Sequence, residues 1–412
     1  MVGSSRLTTR LDAYHPVFAL DQSSSLLLPQ PPPREYKCYY PAKPREIIND
    51  HYQLLVKVGR GRHSTVWLAR DAKRHVLSLS ISERKMALRI NNTRNPGIRN
   101  RERDIEKHIA LQNPSHPGHM FNRSWLESFE VEISEGNHQF LVYKPMLEPL
   151  CIFPLRFVNG RSIYSRYLAR LDYLRRECKV LHTYLKLDNI LLATEDKTFF
   201  LNLSKRILPK SPWITNEPIT GRSVYRCQMD LDPINVKEVN KMLPKSIDFG
   251  LARKLDSGNL FVETIGIYPI QPNHYCDPEV ILCYGWDFSV DFWKLGVWRI
   301  IERTWLFRQV HETDGCHDIK VDLVGVTVLL SSPPIELLNR SHLMSQSPQG
   351  YYDGPFFNDE SEFLHESLIP ARTLGLAIPS SMEGEEREGF LSFIICMLTW
   401  LPEDKGTARE SF

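Results

Sequence analysis

"VLHTYLKLDNILL", residues 180–192, hangs a short polar loop between two apolar runs. His182, Tyr184, Lys186, Asp188 and Asn189 are its polar members, and the Val, Leu and Ile residues on either side read as buried anchors. A loop fixed at both ends in this way is a rigid mount for chemistry. A second polar turn, "SIDFGLA" at 246–252, supplies Asp248. The Asp248 carboxylate and the Asn189 amide oxygen suit Mg2+, a hard cation that prefers oxygen ligands. Lys186 can neutralise a phosphoryl group in transfer.

Working toward the N-terminus, "YQLLVKV" (52–58) and "STVWLAR" (64–70) are strand-like runs separated by "GRGRH". Gly59 and Gly61 let the backbone approach a phosphate where side chains would clash. Val66 on the following strand would roof a purine. The same pattern also serves a plain hairpin turn. "KMALRI" (85–90) is a third strand, and a helix follows over 98–111. Ile98, Ile105 and Ile109 mark one face of that helix, and Glu102 falls on the same stripe. A carboxylate in an apolar stripe calls for a cation; Arg89 is the candidate, and Glu106 is the reserve acid. "SWLESFEVEI" (124–133) and "HQFLVYK" (138–144) read as two more strands.

After residue 147 the period becomes helical. "SIYSRYLARLDYLRREC" (162–178) carries Ile163, Tyr164, Tyr167, Leu168, Leu171 and Leu174 on one stripe, with arginines opposite. "DFSVDFWKLGVWRIIE" (287–302) is apolar nearly all round and predicts a buried helix. Asp291 lies inside it and must accept several hydrogen bonds there, for which the backbone amides of the 180–192 loop are the candidate donors. "IKVDLVGVTVLL" (319–330) and "REGFLSFIICMLTWL" (387–401) predict two further helices, the second buried. Residues 1–35 form a Ser- and Pro-rich tail, and 194–245 is a polar surface excursion of weak periodicity.

Composition sets outer limits. The 412 residues are 42% hydrophobic, enough for a real core, and a net charge of +2 gives no global field toward nucleic acid or membrane. Eight scattered cysteines without a C-x-x-C pair suggest neither a zinc site nor a disulfide framework, and point to a reducing interior. The longest apolar run, "FLSFIICMLTW", is too short to span a bilayer. The first eleven residues are Ser/Thr/Arg-rich without acids, a faint transit-peptide pattern for which a frayed terminus is the better explanation.

In chain order, the glycine turn, Ala87-x-Arg89, the helix glutamate, His182-Thr183-Tyr184-Leu185-Lys186-x-x-Asn189, Asp248-Phe249-Gly250, x-Pro278-Glu279 and Asp291-x-Trp293-x-x-Gly296 resemble a eukaryotic protein kinase domain, from about Glu46 to the C-terminus. Each motif is moderately specific; seven in order are strongly specific. More narrowly, "GRHSTVWLARD", "LDYLRRECKVLHT", "LKLDNIL", "IQPNHY", "PEVILCYGWDFSVDFWKLGV" and "LTWLPEDKGTARE" are similar to the serine/threonine kinases that act on Arg/Ser-rich splicing proteins, notably fungal SR-protein-kinase-like members. His-Thr in the loop, Ser64 at the third glycine position and extra sequence before Asp-Phe-Gly belong to that family's pattern. The resemblance implies a bilobal α+β fold, with a β-rich lobe over 46–146 and a helical lobe over 147–412 that carries the 194–245 insertion. It implies ATP and Mg2+ as cofactors. ATP would be met by Val58, Gly59, Gly61, Val66, Ala87, Arg89, Glu102, Tyr143 and Met146, with Tyr143 behind the adenine and Lys144 to Met146 as the hinge. Asn189 and Asp248 would hold the metal. The implied partners are Arg/Ser-rich proteins, with no direct nucleic acid, no membrane and a monomeric chain, in cytoplasm or nucleus.

The chain departs from that pattern where chemistry is done. The family's catalytic aspartate aligns with Tyr184. That aspartate accepts the proton of the substrate hydroxyl, whereas a phenol with a reference pKa near ~10 is protonated at neutral pH and is also longer. Asp188 lies four residues along the loop and aims elsewhere. The family's ATP lysine aligns with Arg89, whose planar fork keeps the charge and changes the shape; Lys85 shares its strand face but lies too far along. Arg-Ala-Pro-Glu becomes Cys276-Asp277-Pro278-Glu279, and the arginine that pairs with that glutamate becomes Lys405, a poorer fork, which implies a looser second lobe. Three readings follow: a pseudokinase that keeps nucleotide and acts by binding partners, a slower working serine/threonine kinase, and a non-catalytic scaffold or decayed copy.

Overall fold

The computed structural model describes residues 37–61, 63–73, 84–94, 96–147, 149–150, 160–194, 214–216, 221, 223–225, 227, 242–255, 277–282, 286–294, 319–344, 356–358, 360, 362–365 and 384–405. The expected tail at 1–35, Cys276, the second half of the 287–302 helix and most of the 194–245 excursion lie outside them. The chain divides into two compact units: Met1–Arg94, Leu126–Glu148 and Glu195–Asn235 form the first, and Asn95–Trp125, Pro149–Thr194 and Val236–Phe412 the second.

The first unit is built on an antiparallel six-stranded sheet. Its strands are β1 (Ile47–Ile48), β2 (Tyr52–Arg60), β3 (Ser64–Asp71), β4 (Arg84–Asn91), β5 (Glu127–Ile133) and β6 (Gly136–Tyr143), in the order β1-β2-β3-β4-β6-β5. Alternation of side chains assigns the two faces. Tyr52, Leu54, Trp67, Ala69, Met86, Leu88, Ile90, Phe140 and Val142 fill one face and form a dry core with Ile48 and Ala42. Each large side chain buried there contributes about 1.5–3 kcal/mol. The opposite face carries the functional candidates. Gly136 turns the β5–β6 hairpin at φ 123°, a backbone conformation that favours glycine. The described part of the excursion includes a small hairpin, β9 (Ile214–Asn216) with β10 (Ser223–Tyr225), and Tyr225 packs edge-on to Trp67 at 5.8 Å.

In the second unit α1 runs Pro96–Leu111, starting two residues before the predicted helix because Pro96 suits the first helical position. Helix α2 (Gly160–Tyr173) continues into a π turn at Leu174–Cys178, and Lys179 ends it at φ 54°. Tyr167, Leu168, Leu171 and Leu174 are buried as the stripe predicted. Arg170 corrects the expectation of a solvent-facing arginine row: it is fully buried. Three residues from Tyr167, it falls at the stripe's edge. Its Nε donates to Asn122 Oδ1 at 3.1 Å and its Nη1 to the Tyr167 hydroxyl at 3.2 Å, while the guanidinium lies over the Tyr167 and Phe249 rings. Gly118 lets the preceding loop touch this helix; a Cβ there would stand 2.0 Å from the Ala169 carbonyl oxygen.

Short strands frame the polar loop. β7 (Val180–Leu181) pairs with β12 (Arg253–Lys254), and β8 (Ile190–Ala193) pairs with β11 (Leu243–Ser246), so Ala193 faces Leu243 and the excursion leaves from the end of that ladder. The described helices that follow are α3 (Pro278–Ile281), α4 (Ser289–Trp293), α5 (Ile319–Leu330), α6 (Ile335–Met344) and α7 (Gly384–Met397). Met397, Leu398 and Trp400 are buried, but Ile395 and Cys396 are exposed, so α7 is not covered all round as its composition predicted. Among the described residues, no helix is long and apolar enough to cross a membrane.

Candidate active site

The glycine turn sits at the tip of the β2–β3 hairpin. Gly59 faces Val66, Arg60 faces Thr65, and the Gly61 N–H donates to the Ser64 carbonyl at 2.8 Å to close the turn. Val58 and both glycines are buried, and Val66 is half-buried. Across the strands, Val66 pairs with Arg89 and Ala87 with Tyr143. Directly paired residues share a face, so alternation puts all four on the face opposite the core. Tyr143 is buried, Lys144 exposed and Met146 half-buried. Arg89 Nε donates to Ser64 Oγ at 3.2 Å. Ser64 and Arg89, expected at the third-glycine and ATP-lysine positions, therefore touch, and a lysine at 89 would lack that donor.

In the second unit the polar loop is held from below. Asp291 on α4 accepts the His182 N–H at 2.6 Å and the Thr183 N–H at 2.9 Å, as the sequence led us to expect. The Lys294 ammonium donates to the Thr183 carbonyl, and Thr183 adopts φ 61°. His182 Nε2 bonds the Ile247 carbonyl at 3.0 Å, its Nδ1 accepts the Tyr184 N–H at 3.3 Å, and its ring packs on Phe249 at 4.7 Å. Burial, and next the Arg170 charge, hold His182 well below the usual imidazole range, so it is neutral. An unfolded chain would protonate it near pH ~6.5. Stability that is complete above that value is therefore lost as pH falls toward the depressed folded pKa. Chemical denaturation at pH 7.5 and 5.5 should show this loss, and His182→Asn should reduce the difference.

Tyr184 is the residue expected at the base position. Its carbonyl accepts Asn189 Nδ2 at 2.9 Å, and the Lys186 ammonium lies 4.6 Å from the centre of its ring. Lys186 is buried, Asp188 half-buried on the 3-10 turn Leu187–Asn189, and Asp248 half-buried at φ 65°. A Cβ on Gly250 would stand 3.5 Å from Asp248 Oδ1 and 3.9 Å from Glu102 Oε2, so this turn runs close to α1.

Arg123 is a residue the sequence did not single out. Its Nη2 lies 2.6 Å from Glu106 Oε1 and 3.5 Å from Glu102 Oε1, and both acids are buried. Glu106 is thus more than a reserve, since it anchors the cation on the segment after α1. Lys405 also differs from expectation. Its ammonium reaches Asp277 at 2.7 Å and Glu279 at 2.5 Å and lies 5.2 Å from the Trp293 ring centre, while Ser289 donates to the other Glu279 oxygen at 2.6 Å. A point charge lacks the arginine fork, and Asp277 gives it a second anion instead. This corner is tied rather than loose. Burial, then the Glu279 charge, push the Asp277 carboxyl well above its usual range against the pull of Lys405.

No family model matches the chain. A serine/threonine protein kinase of Aspergillus fumigatus is 28% identical over 385 residues, covering 90% of this chain and 86% of the relative. The serine/threonine-protein kinase SRPK of Physarum polycephalum is 24% identical over 394 residues, covering 90% and 87%. SRSF protein kinase 3 of Mus musculus is 29% identical over 179 residues, 40% of this chain and 30% of that one. The crystal structure of a kinase domain matches with a TM-score of 0.63 at 20% identity, over 91% of this chain and 97% of that one. The chain is protein-kinase-like. Its fold is the α+β protein-kinase fold, and its relatives include SR protein kinases.

Members of that family use ATP and a divalent metal, and Asn189 fits the metal. Its Nδ2 is committed to the Tyr184 carbonyl, which fixes the amide, and its buried Oδ1 has no hydrogen-bond partner among the described residues. A buried acceptor left bare is costly unless something fills it, and an amide oxygen beside a carboxylate is a suitable Mg2+ donor set. Among the described residues no cluster of three or more His, Cys, Asp or Glu could hold a metal by itself.

Proposed function

We propose that this kinase-like chain binds Mg·ATP and transfers its phosphoryl group poorly or not at all, acting as a pseudokinase toward Arg/Ser-rich protein partners. One observation carries this reading: Asp291 holds the backbone of the loop, and Tyr184, the residue aligned with the base, has the Lys186 ammonium over its ring. A phenol is a weak acceptor for an alcohol's proton at neutral pH, and a tyrosine is longer than the aspartate it replaces. A π face over Lys186 also competes for the ammonium that would neutralise the transferring group.

The nucleotide half of the proposal rests on residues that remain usable. Gly59, Gly61 and Val66 would meet phosphate and purine. Ala87, Tyr143 and Met146 would line the base, and Arg89 would supply the charge at the phosphates. Asn189 and Asp248 would hold Mg2+, which when bound draws negative charge off the phosphate oxygens. The Arg/Ser-rich partner is inferred from relatives named SRPK and SRSF protein kinase.

A thermal-shift titration tests the binding half. Mg·ATP at about a hundred times its Kd should stabilise the chain by about 2.7 kcal/mol and raise the melting midpoint by several degrees. EDTA should remove most of that shift. Asn189→Ala should weaken it with ATP and leave adenosine binding unchanged. No shift with Mg·ATP at millimolar concentration would refute nucleotide binding.

A further inference from the structure

The segment ahead of the sheet is tied to the glycine turn. The Tyr39 hydroxyl donates to the Gly61 carbonyl at 3.2 Å, and the Arg60 guanidinium lies 5.4 Å from the centre of the Tyr39 ring. The phenol is half-buried; burial pushes its pKa up, and Arg60 pulls it back. Both neighbours of Tyr39 are pinned. Cys38 is buried, and its carbonyl accepts the Thr93 N–H at 3.0 Å. The Tyr40 ring meets His138 and Phe140 edge-on at 5.4 and 5.2 Å, and its hydroxyl donates to Glu46 at 2.8 Å. Tyr39 is thus a short arm on a fixed base.

The turn it holds is rich in glycine. Two glycines in three residues give the backbone several accessible conformations. Other ties of the turn include the closing bond from Gly61 to Ser64, the Arg89 Nε bond to Ser64 Oγ at 3.2 Å, and the Asn92 N–H donated to the His63 carbonyl at 2.7 Å. A hydrogen bond from Tyr39 fixes which way the Gly61 carbonyl points. That matters for an anion, because a carbonyl oxygen turned toward a phosphate repels it. The ring also meets Arg60, a cation of the turn.

We propose that Tyr39 is a positioning residue for the glycine turn, holding the Gly61 carbonyl and the Arg60 guanidinium in one arrangement and so setting the chain's affinity for the triphosphate of a nucleotide. The affinity part rests on the Mg·ATP reading above; the tether itself does not. Tyr39→Phe removes the hydroxyl and keeps the ring, while Tyr39→Ala removes both. Amide hydrogen exchange without nucleotide should quicken about five-fold across residues 59–64 in Tyr39→Phe, and more in Tyr39→Ala, as the loss of one or two weak contacts requires. The melting midpoint of Tyr39→Phe should hardly change. Calorimetry should find Mg·ATP bound about five-fold more weakly by Tyr39→Phe, with adenosine binding unchanged. Unchanged exchange in the turn overturns the proposal, and so does an equal loss of ATP and adenosine, which would mark a general structural role. Faster exchange in a chain whose unmodified form binds no Mg·ATP refutes the nucleotide reading and supports the tether.

Discussion

Restoring aspartate at 184 together with lysine at 89 should raise phosphoryl transfer to an Arg/Ser-rich peptide by about 10²–10⁴-fold over the unmodified chain. The size follows from what a positioned base contributes, about 3–5 kcal/mol of barrier. The gain is available because the frame around residue 184 is intact. Asp291 holds the two amides just before it, neutral His182 braces its N–H, and Asn189 holds its carbonyl. A carboxylate placed there inherits a fixed backbone. Tyr184→Asp also takes away the ring over which Lys186 rests, giving that ammonium an anionic neighbour in place of a π face. Arg89→Lys acts separately, by exchanging a fork tied to Ser64 for a compact charge. The two gains should not add simply, because both groups serve one transition state. A radiolabel assay with Mg·ATP, run on both single reversions and the double, measures this. A double reversion no faster than the unmodified chain would mean that the defect lies elsewhere.

The largest stability effect should come from Asp291→Ala. The change strands two buried N–H groups and removes the anion that balances Lys294 and Arg170. Breaking a buried, hydrogen-bonded charge in this way costs about 3–5 kcal/mol. Asp291→Asn keeps one acceptor and should cost less, about 1–3 kcal/mol. Denaturant midpoints at constant slope give both numbers. A loss under 1 kcal/mol for Asp291→Ala would show that the loop is held by other means.

The sequence made some levels of this structure legible and not others. The strands and helix α1 follow from period and turn residues, since alternation and 3.6-residue spacing are local signals. The role of Asp291 was readable too, because a carboxylate in an apolar helix has few ways to be satisfied. Arg123 was not readable: nothing in "FNRSW" shows that α1 will bring two glutamates to it. Arg170 was misread because helical spacing locates the edge of a stripe only to within a residue. For Lys405, the change at Asp277 was read beside it as a second weakening, whereas the two compensate each other across 128 residues. Tyr39 carried no periodic signal, since its meaning lies in one hydroxyl meeting one distant carbonyl.

The central claim is that the unmodified chain holds nucleotide without passing its phosphate on. The most direct test is a radiolabel transfer assay with the unmodified chain, an Arg/Ser-rich peptide and Mg·ATP at a concentration already seen to shift the melting midpoint. Transfer at background over hours, with the Tyr184→Asp, Arg89→Lys chain active beside it, is the predicted result. Several turnovers per minute from the unmodified chain would contradict it.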